Sequence, residues 1–381
     1  MVMQNRNDSN LYPLKFNPLP KEKVWGGHKL ARLFDQEVPA DRQIGEAWVV
    51  WDQLTVANGA LQGQVLAALI RAHPQQLLGR RLVAGGEPTF PLLVKLLDAR
   101  ETLSVQVHPD DNYAREREGQ PYGKSEMWYI LDTEPGAHLI HGVARPVTRG
   151  EVRRAIASGS LQEMLADVEV APGDVVLNLP GTIHAIGAGI FLYELQQSSD
   201  LTYRFYDWDR NDPSRPLHIE QSLDVADLDP YLNHCVQPVE IREGDATRTY
   251  LCACAYFAAE LLTVQSRIQE RPAGECFHIL TAIQGAGRVQ VGPIPATERS
   301  EAAVPLRAGE SVLVPAAIPE YSLSATQPPL RVIKGYIPDL LRDIVLPLQA
   351  QEVPDEAIRQ LGGDPGKSDL GPYLDQQSLP A

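Results

Sequence analysis

The stretch FPLLVKLLDARETLSVQVHPDD, residues 90–111, contains the pattern that decides the fold. Its runs at 91–98 and 102–108 are short, rich in Val and Leu, and separated by a polar turn. Alternation of apolar and polar residues, clearest in the second run, is typical of strands with one buried face. Comparable runs follow: MWYILD at 127–132, DVVLNLP at 174–180 and IFLYELQQ at 190–197. The sequence therefore predicts a mainly β protein.

Two helical patterns interrupt the strands, at 64–79 and at 149–167, where apolar residues recur at spacings of three and four. The second lies between the strand with His108 and the strand with His184, so it predicts a helical insertion within one domain, at about 142–170. A polar, irregular stretch follows at 228–249 and indicates a domain boundary near 240.

We therefore expect a first domain over residues 1–240 and a second over residues 241–337. Residues 338–381 are rich in Pro, Gly, Gln and Asp. This composition predicts a loosely structured C-terminal extension, with at most one short helix near 354–361.

The composition excludes several classes of function. The 381 residues include 44% hydrophobic and 22% charged residues, as in an ordinary folded protein, and the net charge is −15. Such an acidic chain is unsuited to non-specific binding of nucleic acid or anionic membranes. The sequence contains neither a membrane-spanning apolar run nor the apolar core of a signal peptide, which predicts a cytoplasmic protein. The 4 cysteines form no C-x-x-C pair and are expected to be reduced core thiols.

Four residues have side chains suited to a metal ion. Gln106 and His108 are one residue apart, so on a strand both project from the same face. Glu126 begins the next strand, and His184 follows a Pro-Gly turn. Zinc accepts imidazole nitrogen and carboxylate or carbonyl oxygen. The alternative is structural: each histidine as a hydrogen-bonded residue and Glu126 as a solvated strand end, and the spacing alone does not choose between the two.

Longer segments resemble a known family. They are KEKVWGGHKL (21–30), the opening stretch 90–111, YGKSEMWYIL (122–131) and GTIHAIGAGIFLYELQQSSDLTYRFYDWDR (181–210). Together they resemble the type I mannose-6-phosphate isomerases, particularly their short bacterial form, and the similarity covers most of residues 12–337. The resemblance implies two cupin-type double-stranded β-helix barrels with a helical insertion.

The same resemblance implies one Zn²⁺ per chain, bound in the first barrel by Gln106, His108, Glu126 and His184. It places Arg204 at the position of the family's catalytic arginine and Lys124 in the same pocket.

The second barrel, residues 241–337, is expected to be degenerate and metal-free. Its segment GESVLVPAAIPEYSLSA (309–325) resembles GDVVLNLPGTIHAIGAG of the first barrel, but Glu320 replaces His184. The stretch FHILTAIQGAGRV contains His278 but no Gln-x-His pair. We therefore expect His278 to be structural.

The family resemblance implies interconversion of D-mannose 6-phosphate and D-fructose 6-phosphate through an enediol. Arg204 would then stabilise the enediolate or bind phosphate, and Lys124 would anchor the phosphate or act as the base. Glu194 is a second candidate for the base and for substrate binding, with a surface or metal-supporting role as the alternative.

Arg204 has an alternative of its own, an ion pair with Asp200, Asp207 or Asp209. If the catalytic role is correct, we expect Asp200 to orient the arginine.

Two other functions are compatible with a metal-binding cupin. A non-haem iron oxygenase presents two histidines and one carboxylate, and Gln106 with the Lys124 and Arg204 pair argues against it. A non-catalytic sugar-phosphate sensor needs no metal electrophile, and the complete ligand set argues against that. The expected partner is a small-molecule sugar phosphate, with neither nucleic acid nor membrane.

Overall fold

The computed structural model describes residues 11–33, 42–83, 88–208, 210, 212–292 and 303–375. Strands dominate it, which confirms the prediction of a mainly β protein. In the first half of the chain they are β1 Leu14–Lys15, β2 Leu19–Gly27, β3 Ile44–Val50, β4 Leu92–Ala99, β5 Val105–Val107, β6 Glu126–Thr133, β7 His138–Val143, β8 Leu165–Glu169, β9 Val175–Asn178, β10 His184–Ala185, β11 Ile190–Gln197 and β12 Tyr203–Tyr206. In the second half they are β13 Val239–Glu243, β14 Ala246–Ala253, β15 Ala258–Val264, β16 Arg267–Glu270, β17 His278–Val291, β18 Ala303–Arg307, β19 Ser311–Val314 and β20 Tyr321–Tyr336.

The helices are short. They are α1 Lys29–Leu33, α2 Leu66–Ala72, α3 Pro74–Leu78, α4 Asp111–Tyr113, α5 Arg149–Ser158, α6 Ile219–Val225, α7 Leu346–Gln349, α8 Asp355–Gln360 and α9 Gly371–Asp375. Two π-helical turns, Ala114–Glu118 and Leu340–Val345, and two 3-10 turns, Gly59–Leu61 and Leu161–Met164, accompany them. No helix among the described residues is both long and apolar enough to cross a membrane.

Within the described ranges the strands form three sheets. A six-stranded sheet has the order β2-β3-β4-β11-β6-β9, and a five-stranded sheet has the order β12-β5-β10-β7-β8. Side chains from both sheets, such as Trp128 of β6 and Leu139 of β7, share one apolar cluster. The two sheets therefore pack face to face, and this packing brings the start of β6 near β5 and β10.

The nine-stranded sheet contains the path β1-β19-β17-β20-β15-β14-β13, with β16 beside β20 and β18 beside β17. Leu262, Leu280 and Val332 belong to a core of its own. Ile279 and Ile333, from alternate positions of the same strands, pack in a second cluster with Leu195 of the six-stranded sheet. The sheet therefore buries both of its faces.

The N-terminal strand belongs to this later sheet, because Leu14 of β1 pairs with Leu313 of β19. The division near residue 240 and the cupin-type topology of both barrels stay predictions.

The helical insertion is shorter than its periodicity predicted. Helix α5 begins at a capping box, in which the Thr148 and Glu151 side chains bond each other's backbone N–H, and Gly159 caps its end in a left-handed conformation. Beyond it, β8 pairs with β7, Val168 opposite Leu139. Residues 165–169 are therefore strand, because pairing with β7 overrides their helical spacing.

The expectation of a loosely structured C-terminal extension is wrong for residues 338–375. Three helices and a π-helical turn lie in this range. Apolar side chains of this segment join the cluster between the six- and nine-stranded sheets: Leu340, Ile344, Val345, Leu348, Ile358, Leu361, Leu370 and Leu374. In the sequence these apolar residues are scattered among polar ones. They are buried because the segment packs against the two sheets, and not because of any local periodicity. Residues 376–381 lie outside the described ranges.

Candidate metal centre and adjoining cavity

His108, Glu126 and His184 come together between the two packed sheets. One ligand atom from each lies within 4.8 Å of the others, and each residue is 1% exposed. His108 follows β5, Glu126 opens β6, and His184 opens β10. Packing of the sheets therefore brings together residues up to 76 positions apart in the sequence.

The ligand atoms of these residues have no hydrogen-bond partner. This holds for Nε2 of His108, Nε2 of His184 and both carboxylate oxygens of Glu126. Nε2 of His184 lies 3.2 Å from Oε1 of Glu126, and Nε2 of His108 lies 3.5 Å from Oε2. Buried polar atoms without partners are costly and rare. A cation among them would satisfy all four atoms, so the residues fit a metal ion.

Backbone carbonyls orient both imidazoles. Nδ1 of His108 lies 2.8 Å from the carbonyl oxygen of Leu201, and Nδ1 of His184 lies 2.8 Å from that of Thr182. Because a carbonyl only accepts, Nδ1 carries the hydrogen and Nε2 presents a lone pair to the centre. The structural alternative explains these Nδ1 bonds but not the four unpartnered atoms.

The electrostatics favour the protonation states that a metal requires. Burial, followed by the Lys124 charge, lowers the pKa of His108 to about 3, and burial also lowers the pKa of His184. Burial by itself raises the pKa of Glu126, but Lys124 and the two histidines hold it well below its usual value. The centre therefore has two neutral imidazoles and one carboxylate.

Gln106 adjoins this centre. It is the cross-strand partner of His184 on one side and of Arg204 on the other. It also lines a cavity of about 310 Å³. Its role as a fourth ligand stays a prediction.

The cavity brings together the other sequence-predicted residues, because Lys124, Glu194 and Arg204 line it with Gln106. Its lining contains five cationic and three anionic side chains: Lys23, Lys95, Lys124, Arg204 and Arg215, and Glu46, Glu194 and Asp200. The whole chain has a net charge of −15. A cationic cavity in an acidic protein suits an anionic ligand.

Glu194 is 3% exposed, so a surface role for it is wrong. Its Oε1 lies 2.8 Å from Nζ of Lys95, and its Oε2 accepts a hydrogen bond of 3.0 Å from Nε1 of Trp128. Burial raises the pKa of this carboxyl group, although Lys95 opposes the effect. Lys124, 5% exposed, lies with its Nζ 2.9 Å from Oε2 of Glu126, an ion-pair distance without hydrogen-bond geometry.

Arg204 has a different environment from the one expected. Its Nη1 donates to the carbonyl oxygen of Pro216 at 2.9 Å, and its Nε is buried without a partner. Asp200 lines the same cavity but forms neither a hydrogen bond nor an ion pair with Arg204, so its predicted orienting role is wrong. Asp207 instead pairs with Arg210 and Arg215. Asp209 lies outside the described residues.

The sequence interpretation missed Lys95, Glu46 and Arg215. Lys95 is the one charged residue within the apolar run LLVKLL, and Glu46 is the one charged residue of β3, IGEAWVV. A charge in a strand buried on both faces requires a partner or a function, so this pattern could have identified both. Arg215 lies in a polar loop, where nothing local distinguishes it.

Comparison with known proteins gives concordant results. The family model described as "Phosphomannose isomerase type I, catalytic domain" matches residues 14–136. The mannose-6-phosphate isomerase ManA of Bacillus subtilis (strain 168) is 38% identical over 326 residues, which cover 82% of this chain and 95% of that protein. A mannose-6-phosphate isomerase of Streptococcus mutans is 35% identical over 287 residues, covering 74% of this chain and 87% of that one.

A solved structure agrees with these relatives. The crystal structure of the mannose 6-phosphate isomerase from Bacillus subtilis superimposes with a TM-score of 0.75 at 30% identity, over 85% of this chain and 99% of that chain. The similarity therefore extends over most of the chain, both in sequence and in fold. The chain belongs to the type I phosphomannose isomerase family.

Proposed function

We propose that the chain is a zinc-dependent isomerase that interconverts D-mannose 6-phosphate and D-fructose 6-phosphate through an enediol, in the first of two cupin-type barrels. The observation that carries this proposal is the group of four buried ligand atoms without a hydrogen bond, which lies beside a cationic cavity. The cavity volume of about 310 Å³ is at the lower end of the range for small-molecule sites.

Zinc is the metal that the donor set favours. His108, Glu126, His184 and Gln106 would provide two imidazole nitrogens, a carboxylate and an amide oxygen, a mixed set that zinc accepts while keeping a position open. When bound, zinc supplies positive charge that stabilises an enediolate oxygen.

Glu194 is the proposed proton carrier. Its carboxylate accepts the proton from C2 of the open-chain aldose, the C–H electron pair forms the C1–C2 double bond, and the C1 carbonyl pair moves onto O1. The proton of the C2 hydroxyl then moves to O1, the carbonyl forms at C2, and the electron pair of the C1–C2 double bond takes the proton back from Glu194 at C1. The raised pKa of this buried carboxyl makes it a better base than an exposed glutamate, and Lys95 holds it in place.

The cationic residues have separate tasks. Lys124 is in an ion pair with Glu126, which favours a role as a charged substrate contact over a role as the base. Arg204 has no carboxylate partner among the described residues and places fixed positive charge beside Gln106. Such preorganised charge stabilises a developing oxyanion. A cytoplasmic location stays a prediction.

A coupled isomerase assay on zinc-loaded protein tests the proposal. We expect the protein to convert mannose 6-phosphate to fructose 6-phosphate and the reverse. Both activities should be lost when the metal is chelated and restored when zinc is added. Zinc-loaded protein that turns over neither hexose 6-phosphate would refute the function. Tightly bound iron with oxygen uptake would indicate an oxygenase instead.

A further inference from the structure

We propose that Lys367, in the C-terminal segment 338–375, is a positioning residue for the metal centre. It holds Asp227 and Tyr231 against the connection between β9 and β10, residues 179–183, and thereby fixes both histidines of the centre. This inference rests on one part of the proposed function, the binding of a metal ion, and not on the reaction.

The β9–β10 connection is bonded to both histidines of the metal centre. The carbonyl oxygen of Thr182 accepts a hydrogen bond of 2.8 Å from Nδ1 of His184. The backbone N–H of Gly181 donates to the carbonyl oxygen of His108 at 2.9 Å. A displacement of this connection would therefore turn one imidazole and shift the backbone that carries the other.

Two residues of the loop after α6 hold this connection in place. The hydroxyl of Tyr231 and Oγ1 of Thr182 lie 2.7 Å apart and share a hydrogen bond. The backbone N–H of Asp227 donates to the carbonyl oxygen of Gly181 at 2.8 Å. Both Thr182 and Tyr231 are buried. Loss of the bond between them would leave the threonine hydroxyl buried and unsatisfied, which favours a shift of the connection.

Lys367 contacts both of these residues. Its Nζ lies 3.8 Å from the centre of the Tyr231 ring, and it forms an ion pair with the carboxylate of Asp227. A cation is attracted to the face of an aromatic ring. Burial by itself would lower the pKa of Lys367, but the hydrogen bond to Asp227 raises it, so the lysine is charged. One cation therefore joins the two residues that hold the connection.

The segment that carries Lys367 is itself anchored on two sides. Oδ2 of Asp364 accepts a hydrogen bond of 2.7 Å from the backbone N–H of Leu232. The carbonyl oxygen of Leu361 accepts one of 2.9 Å from the backbone N–H of Ala253, at the end of β14. The place of Lys367 is therefore fixed by the loop after α6 and by the nine-stranded sheet.

The alternative is that Lys367 only stabilises the fold. A partly exposed ion pair contributes little to the free energy of unfolding. Residues that hold metal ligands in place, in contrast, typically change metal affinity about 10- to 100-fold when they are replaced. Metal affinity, compared with the stability of the metal-free protein, therefore distinguishes the two roles.

The test compares Lys367→Met and Tyr231→Phe with Arg359→Met. Methionine removes the charge of Lys367, and phenylalanine keeps the ring of Tyr231 but removes its hydroxyl. Arg359 belongs to the same segment but pairs with Asp375. For both test variants we expect the zinc dissociation constant, from competition with a chelator, to rise about tenfold. Arg359→Met should change it by less than about twofold, as expected for a site with no shared partner.

Three further measurements separate positioning from folding. Urea titration of the metal-free proteins should show similar free energies of unfolding for Lys367→Met and Arg359→Met. Lys367→Arg should keep zinc affinity within about threefold of wild type, because a cation stays over the ring of Tyr231. Combining Lys367→Met with Tyr231→Phe should weaken zinc binding by less than the product of the single losses, because the lysine acts partly through the tyrosine.

Unchanged zinc affinity in Lys367→Met, or an equal loss in Arg359→Met, would overturn the assignment. A wild type that binds no zinc would overturn both the assignment and the proposed zinc dependence. Zinc-loaded protein without isomerase activity would refute the proposed function alone, because these measurements require no turnover. If Lys367→Met fails to fold, Tyr231→Phe is compared instead with Tyr12→Phe, which loses a hydroxyl bonded to the carbonyl oxygen of Asn58. Equal zinc affinity of these two variants would then overturn the assignment.

Discussion

Two buried groups of charged residues occupy corresponding places in two different sheets. The six-stranded sheet contains the order β3-β4-β11-β6-β9, and the nine-stranded sheet contains β14-β15-β20-β17-β19. In the first, Lys95 of β4 pairs with Glu194 of β11. In the second, Glu260 of β15 pairs with Lys334 of β20. The same cross-strand ion pair is present in both, with its two residues exchanged.

The correspondence extends to the metal centre. Glu126 lies two residues before the strand partner of Glu194, and His278 lies two residues before the strand partner of Lys334. His278 therefore stands where Glu126 stands. Its Nδ1 is 3.0 Å from the hydroxyl of Tyr321, which agrees with the structural role predicted for it.

The two groups differ in how completely they satisfy their own atoms. Around Lys334 every carboxylate oxygen of Glu260 and Glu270 has a partner, from Lys334, Tyr336 or Arg248. Around the metal centre both oxygens of Glu126 have none with hydrogen-bond geometry. Buried charged residues at corresponding places in two sheets can therefore either pair with one another and stabilise the fold, or keep atoms without hydrogen bonds that can bind a ligand. The absence of metal from the second barrel stays a prediction.

The largest effect should come from His184→Ala. Loss of one imidazole should release the metal and reduce turnover by about 10³-fold or more, since a metal contributes several kcal/mol to stabilising the oxyanion. Zinc content and kcat measure this. The matched control is His278→Ala, which should keep both near wild type. If His184→Ala protein is active and binds stoichiometric zinc, His184 is not a required ligand and the proposed difference between His184 and His278 is contradicted.

Lys334→Met should give the second largest effect, on stability. It leaves Glu260 and Glu270, which are 2% and 5% exposed, with too little positive charge. Breaking a buried ion pair costs about 3–5 kcal/mol of unfolding free energy, which urea titration measures. Lys29→Met removes a more exposed pair with Asp132 and should cost less than about 1 kcal/mol. Equal costs for the two variants would contradict the structural role of the second group.

Arg204→Ala should lower kcat/KM about 10²- to 10³-fold, because fixed positive charge beside the developing oxyanion is lost. Zinc should stay bound, since Arg204 is not a ligand, and metal analysis checks this. Arg242→Ala, at an exposed position on β13, provides the control. Near wild-type turnover of Arg204→Ala would remove this residue from the mechanism.

The smallest expected effect is a change in stability at acidic pH. Burial by itself would raise the pKa of Glu270, but the charges of Lys334 and Arg248 lower this pKa from 4.5 to about 2. A carboxyl group whose pKa is lower in the folded than in the unfolded state stabilises the folded protein. This stabilisation is complete above the unfolded-state pKa and disappears as the pH falls from about 4.5 towards 2. Glu270→Gln should therefore be less stable than wild type at pH 7 by a margin that narrows below about pH 4.5. Urea midpoints across this range measure the margin, and a constant margin would contradict the pairing.

Much of the site was predictable because it lies on strands with recognisable patterns. His108, Glu126 and His184 were predicted to be metal ligands from residue type, spacing and resemblance, and the structure brings them together. Glu194 was named as a candidate, but only the packing shows that it is buried against Lys95. Asp200 was wrongly chosen as the partner of Arg204, because proximity in sequence does not decide how side chains pair.

The sequence by itself determined the mainly β class, the order of the strands along the chain and the chemistry of the candidate ligand residues. These depend on residue type and on short-range periodicity. The tertiary structure alone decided the pairing of Asp207 with Arg215, the burial of the C-terminal helices and the exchanged ion pair of the second sheet. Each of these depends on which distant segments pack together, and that depends on the whole core and not on any local pattern.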